Sequence, residues 1–220
     1  MSAYYRGRRA QSYDQRWRNF TQLTLEETLA IIDIEAIGHH AMEHQRAPRL
    51  LDVACGTGVL LSLLHERIPT ASLSGVDASR DMLMQARQRL PAISSLRLEH
   101  AIVGPGERAG LPFPPDSFDL ITCTNVLHDL ADPVNTIAGL RLLLVPEGRL
   151  VIEDYARRSP AVPWRIVEWL ALRIEGSQGR ALTLAEAEKL CEHTGLRVER
   201  SHAFPVDAIC AWVGRCRIEG

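Results

Sequence analysis

The stretch LLDVACGTGVL, residues 50–60, decides how the rest of the chain is read. An apolar run reaches Asp52, then turns through Gly56 and Gly58 into a leucine-rich segment. A glycine bend between a strand and a helix offers backbone N–H groups to a nucleotide. The dinucleotide fingerprint G-x-G-x-x-G needs a third glycine, however, and Leu61 stands in its place. A P-loop needs Gly-Lys-Ser/Thr after the bend, and the chain has none there. Asp52 points the other way. A carboxylate just ahead of the bend repels a pyrophosphate and attracts a ligand that carries positive charge.

Working outward, RLLDVA before the bend reads as a buried strand, VLLSLLHERI after it as a helix, and ASLSGVD as the next strand. Ser79 is placed to cap a helix over RDMLMQARQRL, and SLRLEHAIV is a third strand followed by the loop GPGERAGLPFPPDS. FDLITCTNVL is a fourth strand, Asp132-Pro133 starts a helix that runs to about Leu144, and EGRLVIEDY is a fifth strand. Strands alternating with helices imply a mostly parallel sheet covered on both faces, with ligands bound where strands lead into helices. Upstream, Thr24-Leu-Glu-Glu27 reads as a capping box opening one helix to about His44, preceded by an arginine-rich aromatic arm to about residue 22. Downstream, WRIVEWLALRIEG reads as an inserted helix at about 160–180, and Thr183 to Glu186 opens another helix. The tail gives two β-rich runs separated by a turn at Pro205. The expected division is an arm and helix over 1–47, a possible lid, and a core over 48–220.

The 220 residues are 46% apolar, enough for one substantial core. A formal charge of −2 gives no global attraction to nucleic acid or anionic membrane. No apolar run is long enough to span a bilayer, and the first residues lack the apolar centre of a signal peptide, so a soluble, cytoplasmic protein is expected. Five cysteines are scattered without a CxxC pair, and His40 and His44 have no evident third ligand, so no metal site is expected. Cys55 and Cys123 read as core filling.

Asp77 ends the second strand, 25 residues after Asp52, where a carboxylate can accept both hydroxyls of a ribose. A close-approach loop, an acid facing positive charge and an acid holding sugar hydroxyls together suit S-adenosylmethionine. The blocks LDVACGTG, GVDAS, LPFPPDSFDLITCTNVLHDLADP and PEGRLVIEDY, in this order over residues 48 to 155, resemble the class I S-adenosylmethionine-dependent methyltransferases, of the small-molecule type that includes quinone-biosynthesis enzymes. The resemblance implies an α/β, three-layer, Rossmann-like seven-stranded sheet, mostly parallel with one antiparallel strand near the C-terminus. It further implies that Asp52, Ala54, Gly56 and Gly58 surround the methionine moiety, that Asp77 holds the ribose, and that Ala78, Ser79 and Met82 lie near adenine. The register of an acid that meets the adenine amine falls on Glu107, with Glu99 as competitor, and Asn125 lines the methionine side and the substrate entrance.

His128 and Asp129 follow at the pocket mouth, where His128 is the first candidate base and Asp129 the second, against a reading of His128 as a satisfied surface residue. Tyr5 and Tyr13 match a paired-tyrosine pattern whose segment folds over the cofactor; the bland alternative is a solvated arm. Trp164 is a candidate substrate-cavity residue. The expected reaction is methyl transfer to a small or medium organic acceptor through O, C, S or N, leaving S-adenosylhomocysteine, with no metal. The Asn-Pro-Pro-aromatic motif of nucleobase methylation is absent, so no nucleic acid is expected. A noncatalytic cofactor-binding partner subunit and a dinucleotide-dependent oxidoreductase are the alternatives, and the sequence leaves monomer and homodimer open.

Overall fold

Consecutive residues of a strand face opposite sides of its sheet, so a strand buried on both faces must be apolar at nearly every position. The central strands follow this with exceptions that include Asp52, Asp119 and Thr122, which are buried with hydrogen-bond partners. In the computed structural model, which describes residues 5–91, 93–157, 181–206 and 209–219, Leu50, Leu73, Leu120 and Val151 enter one core, and Leu51, Val76, Ile121, Leu150 and Ile152 enter the other.

The strands are β1 (Arg49–Val53), β2 (Ser72–Asp77), β3 (Leu96–His100), β4 (Phe118–Thr124), β5 (Leu144–Ala156), β6 (Leu196–Val206) and β7 (Ile209–Ile218). Among the described residues they form one seven-stranded sheet in the order β3-β2-β1-β4-β5-β7-β6. The first five pair in parallel, and β7 is inserted antiparallel between β5 and β6. The expected fold class, including its single reversed strand, is therefore what the chain adopts. Order reverses at β1, between β2 and β4, and this switch point opens a crevice at the carboxyl ends of the strands.

One face of the sheet carries α3 (Arg18–Ile31), α4 (Ile34–Glu43), α5 (Val59–Arg67) and α6 (Arg80–Arg89), through Leu25, Leu29, Ile37, Leu61, Leu64 and Leu83. The other carries α7 (Pro133–Arg141) and α8 (Leu184–His193), through Ile137, Leu140, Ala187 and Cys191. Four helix starts follow from local chemistry. Asp33, Ser79, Asp132 and Thr183 each accept an N–H of the first turn, from Ala36, Met82, Asn135 and Glu186, and Thr183 with Glu186 completes a capping box.

Three local expectations are corrected. The helix expected from Thr24 to His44 is two helices, because Ile32 is extended and Asp33 caps a fresh start. Thr24 is not a cap; it lies inside α3, which already starts at Arg18, with its hydroxyl directed to the Thr21 carbonyl at 3.3 Å. Pro205 is not the turn but a residue of β6, the sheet's outer strand, opposite Cys210; an edge strand tolerates a missing N–H. The segment before α3 winds through short helical turns α1 (Arg8–Gln11) and α2 (Tyr13–Arg16). The helix expected at about 160–180, with Trp164 and Trp169, lies outside the described residues.

Gly139 lets α7 approach the loop over residues 104–110, where a 3₁₀ turn spans Glu107–Gly110. A Cβ at this position would stand 2.2 Å from the Ala109 nitrogen and 2.9 Å from the Gly106 oxygen. Helix propensity alone would make Gly139→Ala stabilising by about 1 kcal/mol. Backbone overlap cannot be relieved by a side-chain rotation, so we expect a net loss of about 2 kcal/mol or more instead. A lower urea midpoint with unchanged slope checks this; an unchanged or higher midpoint contradicts it.

Candidate active site

After β1 the backbone must reverse within a few residues to enter α5. Ala54, Gly56 and Gly58 do this with φ of 59°, 52° and 76°. Glycine takes such angles freely, whereas Ala54 is held there at a cost of about 1–3 kcal/mol, typical of strain at functional loops. Each glycine has its own reason. A Cβ on Gly58 would press on Ala86 and Leu90 at 3.1 Å, so this glycine seats α5 against α6. A Cβ on Gly56 would meet nothing within 4 Å, because Gly56 borders an open cavity.

That cavity, about 440 Å³, lies at the switch point and is lined by the β1–α5 loop, the end of β2, residues 101–105, and the segments after β4. Asp52, Ala54, Gly56, Asp77, Ala78, Ser79, Met82 and Asn125 all line it, as do Tyr5, Tyr13 and Asp129. Gly58 supports it from behind. Among the described residues, the lining contains three aspartates and no lysine, arginine or histidine.

Asp77 ties the loops together. Its Oδ2 accepts the Gly56 N–H at 2.9 Å and its Oδ1 the Ser79 N–H at 2.7 Å. A carboxylate has about four lone-pair positions, so both oxygens retain capacity for a ligand's hydroxyls. Burial nevertheless raises its pKa, opposed by these two N–H donors. Asp52 is buried more deeply, at 1% exposure, and accepts the Thr122 hydroxyl at 2.7 Å. Desolvation pushes its pKa up to about 7, with the Asp77 charge adding to the rise. Asn125 has φ of 53°, and its buried Oδ1 has no hydrogen-bond partner among the described residues. A buried acceptor without a donor is costly unless a ligand supplies one.

The amino-terminal segment crosses this cavity. Tyr5 and Tyr13 meet edge to face with ring centres 5.4 Å apart. The segment is pinned at several points: Ser79 Oγ donates to the Tyr5 carbonyl at 2.6 Å, the Gly7 N–H to Asp81 at 2.7 Å, and Thr57 Oγ1 to Asp14 at 2.6 Å. Arg89 pairs with Asp14 as well, and its Nε donates to the Thr57 carbonyl at 3.0 Å.

Two site expectations sit elsewhere in the structure. Glu107 lies in the 3₁₀ turn with its side chain 74% exposed, and Glu99 pairs with Arg97 on β3; neither lines the cavity. The glycines around Glu107 carry it away, and the strip facing the cavity there is Ala101 to Pro105. His128 is no surface residue. It is 7% exposed in the 3₁₀ turn Leu127–Asp129, with Nδ1 2.6 Å from Asp154 Oδ1 and Nε2 3.5 Å from Asp129 Oδ2. Asp154 was not anticipated from the sequence, since it lies 26 residues from its partner with no local signal joining them. Among the described residues no group of three His, Cys, Asp or Glu is arranged to hold a metal, and no helix is long and apolar enough to cross a membrane.

Comparison with known proteins agrees with this geometry. Residues 51–150 match the family model described as a methyltransferase domain. A demethylmenaquinone methyltransferase of Deinococcus radiodurans is 38% identical over 108 residues, 49% of this chain and 43% of the relative, so the match spans under half of that protein's length. Among solved structures, a chain from the complex between the Haloferax volcanii Trm112 methyltransferase activator and a putative methyltransferase superposes with a TM-score of 0.72 at 16% identity, covering 95% of this chain and 94% of that one. A putative methyltransferase from Bacillus halodurans gives 0.70 at 15% identity, with 88% and 97% covered. Over residues 51–150 the chain is thus similar to a methyltransferase domain and, over about half its length, to a quinone-biosynthesis methyltransferase, and it shares the fold of the solved methyltransferase structures.

Proposed function

We propose that this chain transfers a methyl group from S-adenosylmethionine to a small or medium organic acceptor. The observation that carries the reading is the charge of the cavity wall, three aspartates without a described cation. Such a wall favours an ammonium and a sulfonium and opposes a chain of phosphates. The cavity volume falls within the range of pockets that enclose small ligands, about 300–1,000 Å³.

The residues fit the cofactor group by group. The buried Asn125 Oδ1, without a hydrogen-bond partner among the described residues, suits the ammonium, as does Asp52 on the same cavity wall, and the remaining lone pairs of Asp77 suit the ribose hydroxyls. Met82, Ala101 and Ile102 offer apolar surface for adenine. When bound, S-adenosylmethionine supplies a methyl group on a positively charged sulfur. The chain's own part is alignment, exclusion of water by Tyr5 and Tyr13, and removal of the acceptor's proton, for which His128 and Asp129 are the candidates. The named Deinococcus relative acts on a demethylmenaquinone, which supports a reduced quinone ring as the first acceptor to try. The chain's charge and the absence of a nucleobase motif favour small molecules over nucleic acid.

Calorimetric titration with S-adenosylmethionine and S-adenosylhomocysteine, then mass spectrometry of reactions with 1,4-naphthohydroquinone and other phenols, amines and thiols, tests the reading. Binding of NAD or ATP with no uptake of the sulfonium compound contradicts it. Asp77→Ala is expected to weaken cofactor binding by about 1.5–3 kcal/mol, the scale of hydrogen bonds to a charged group. Unchanged affinity removes Asp77 from the ribose role.

Asp52 adds a pH dependence with a definite sign. Its folded pKa, about 7, lies above its unfolded value near 3.9, so the folded chain holds the proton more tightly. The associated stability is full below the unfolded value and is lost as pH rises through about 7. The carboxylate needed to attract the cation forms over the same interval. We expect Asp52→Asn to flatten the fall in unfolding free energy between about pH 4 and 8, while Asp77 keeps part of it, since its pKa is raised too. The same variant should bind S-adenosylmethionine more weakly above neutrality. Denaturant titrations across this interval decide the first point and calorimetry the second.

A further inference from the structure

The geometry points to a proton relay, Asp129–His128–Asp154, in which buried Asp154 is the positioning residue that fixes which nitrogen of His128 is basic. This rests on the methyl-transfer reading and adds to it a role for Asp154, a residue of the PEGRLVIEDY block to which the sequence alone assigns none.

Asp154 stands near the end of β5 with 1% exposure. Its carboxylate grips His128 twice, Oδ2 accepting the backbone N–H at 2.9 Å and Oδ1 lying 2.6 Å from Nδ1. Oδ1 also accepts the Tyr155 N–H at 2.6 Å. An ionised carboxylate only accepts hydrogen bonds, so Nδ1 must carry a hydrogen. The proton-accepting position of the ring is then Nε2, which faces Asp129 Oδ2 at 3.5 Å. Asp129 lines the cavity at the end where Asn125 and Leu130 stand, whereas His128 sits one layer behind. The Tyr155 ring packs edge to face on His128 at 5.1 Å, and Phe20 stacks on Tyr155 at 5.1 Å, so the imidazole is held by rings as well as by charge.

A path follows for the proton of an acceptor X–H. Asp129 takes it at the cavity wall and passes it to Nε2 of His128, where the imidazolium is stabilised between two carboxylates. The balance is complete: X–H becomes X–CH₃, sulfur keeps the electron pair of the broken S–CH₃ bond, and the proton leaves the ring to solvent after product release. A structural pin alone would need only the backbone hydrogen bond. The second oxygen on Nδ1 selects a tautomer.

Nitrogen-15 NMR of the ring nitrogens tests this without cofactor or acceptor. At a pH that leaves the ring neutral, wild-type His128 is expected as the Nδ1–H tautomer. Asp154→Asn retains an oxygen for the backbone N–H and turns an amide donor toward Nδ1, so the ring is expected to switch to Nε2–H. With 1,4-naphthohydroquinone as acceptor, the variant should lose methyl transfer by about a hundredfold or more, as loss of the orienting carboxylate does in other histidine-based sites. Its S-adenosylmethionine affinity should stay within about twofold, because Asp154 does not line the cavity. Wild-type His128 in the Nε2–H form overturns the relay, and that measurement stands even if the variant does not fold. A variant whose tautomer or rate matches wild type overturns it too. Failure of the wild type to bind S-adenosylmethionine would instead remove the methyl-transfer reading and leave the tautomer result standing.

Discussion

The grip of the Asp77 carboxylate on the backbone of two loops is the constraint on which the site depends. Gly56 belongs to the bend after β1 and Ser79 to the bend after β2, and one buried side chain accepts an N–H from each. Hydrogen bonds to a charged acceptor are worth about twice those between neutral groups, and the low dielectric of the site strengthens them. The bend therefore keeps Ala54 at an unfavourable positive φ. Without that tether the α5 end of the bend would be free to relax, and the strip of backbone facing the ligand would lose its shape. Gly75 shows how closely the two strands and their helices must fit for this to work, since a Cβ there would lie 2.8 Å from Leu61 and Leu98 and 2.9 Å from the Cys55 sulfur.

A site held by a carboxylate is also a site biased in charge. The Asp77 charge raises the cost of ionising Asp52, and desolvation is the largest cause of the rise at both acids. An arrangement of this kind is poorly suited to hold phosphate and well suited to hold a cation, whose arrival offsets the penalty both acids carry. The fold family binds nucleotides at this same crevice in many settings. What differs here is the sign of the field, and the sign follows from which residues the strand ends carry. Fold alone does not choose the ligand.

The features legible in the sequence are those written in contiguous segments. Runs of apolar residues gave the strands, capping residues gave the starts of α6, α7 and α8, and the glycine bend with its two acids gave the crevice. The helix break at Ile32 was missed because the apolar spacing continues across it, although Asp33 three residues before Ala36 carries a cap signal of its own. Glu107 stands outside the cavity lining because the glycines and positive-φ residues of its loop turn it outward, which register along the chain does not show. Asp154 was invisible for a different reason. Its role exists only when β5 is laid beside β4, bringing it under a turn 26 residues earlier.

The amino-terminal segment shows the same dependence on distant contacts, and it covers part of the crevice. Short helices of four residues have little stability of their own, because nucleation costs more than so few hydrogen bonds return. Their order must come from what they touch. Asp14 reaches Thr57 in the bend and Arg89 at the end of α6, while Tyr5 is fixed through Ser79 beside Asp77. Every one of these anchors lies in the two loops that Asp77 joins or in the helix that Ser79 caps. The segment that borders the cavity is thus not a separate piece grafted on a rigid core. The groups that shape the crevice are the groups that hold its cover, so an element that distorts the first must loosen the second.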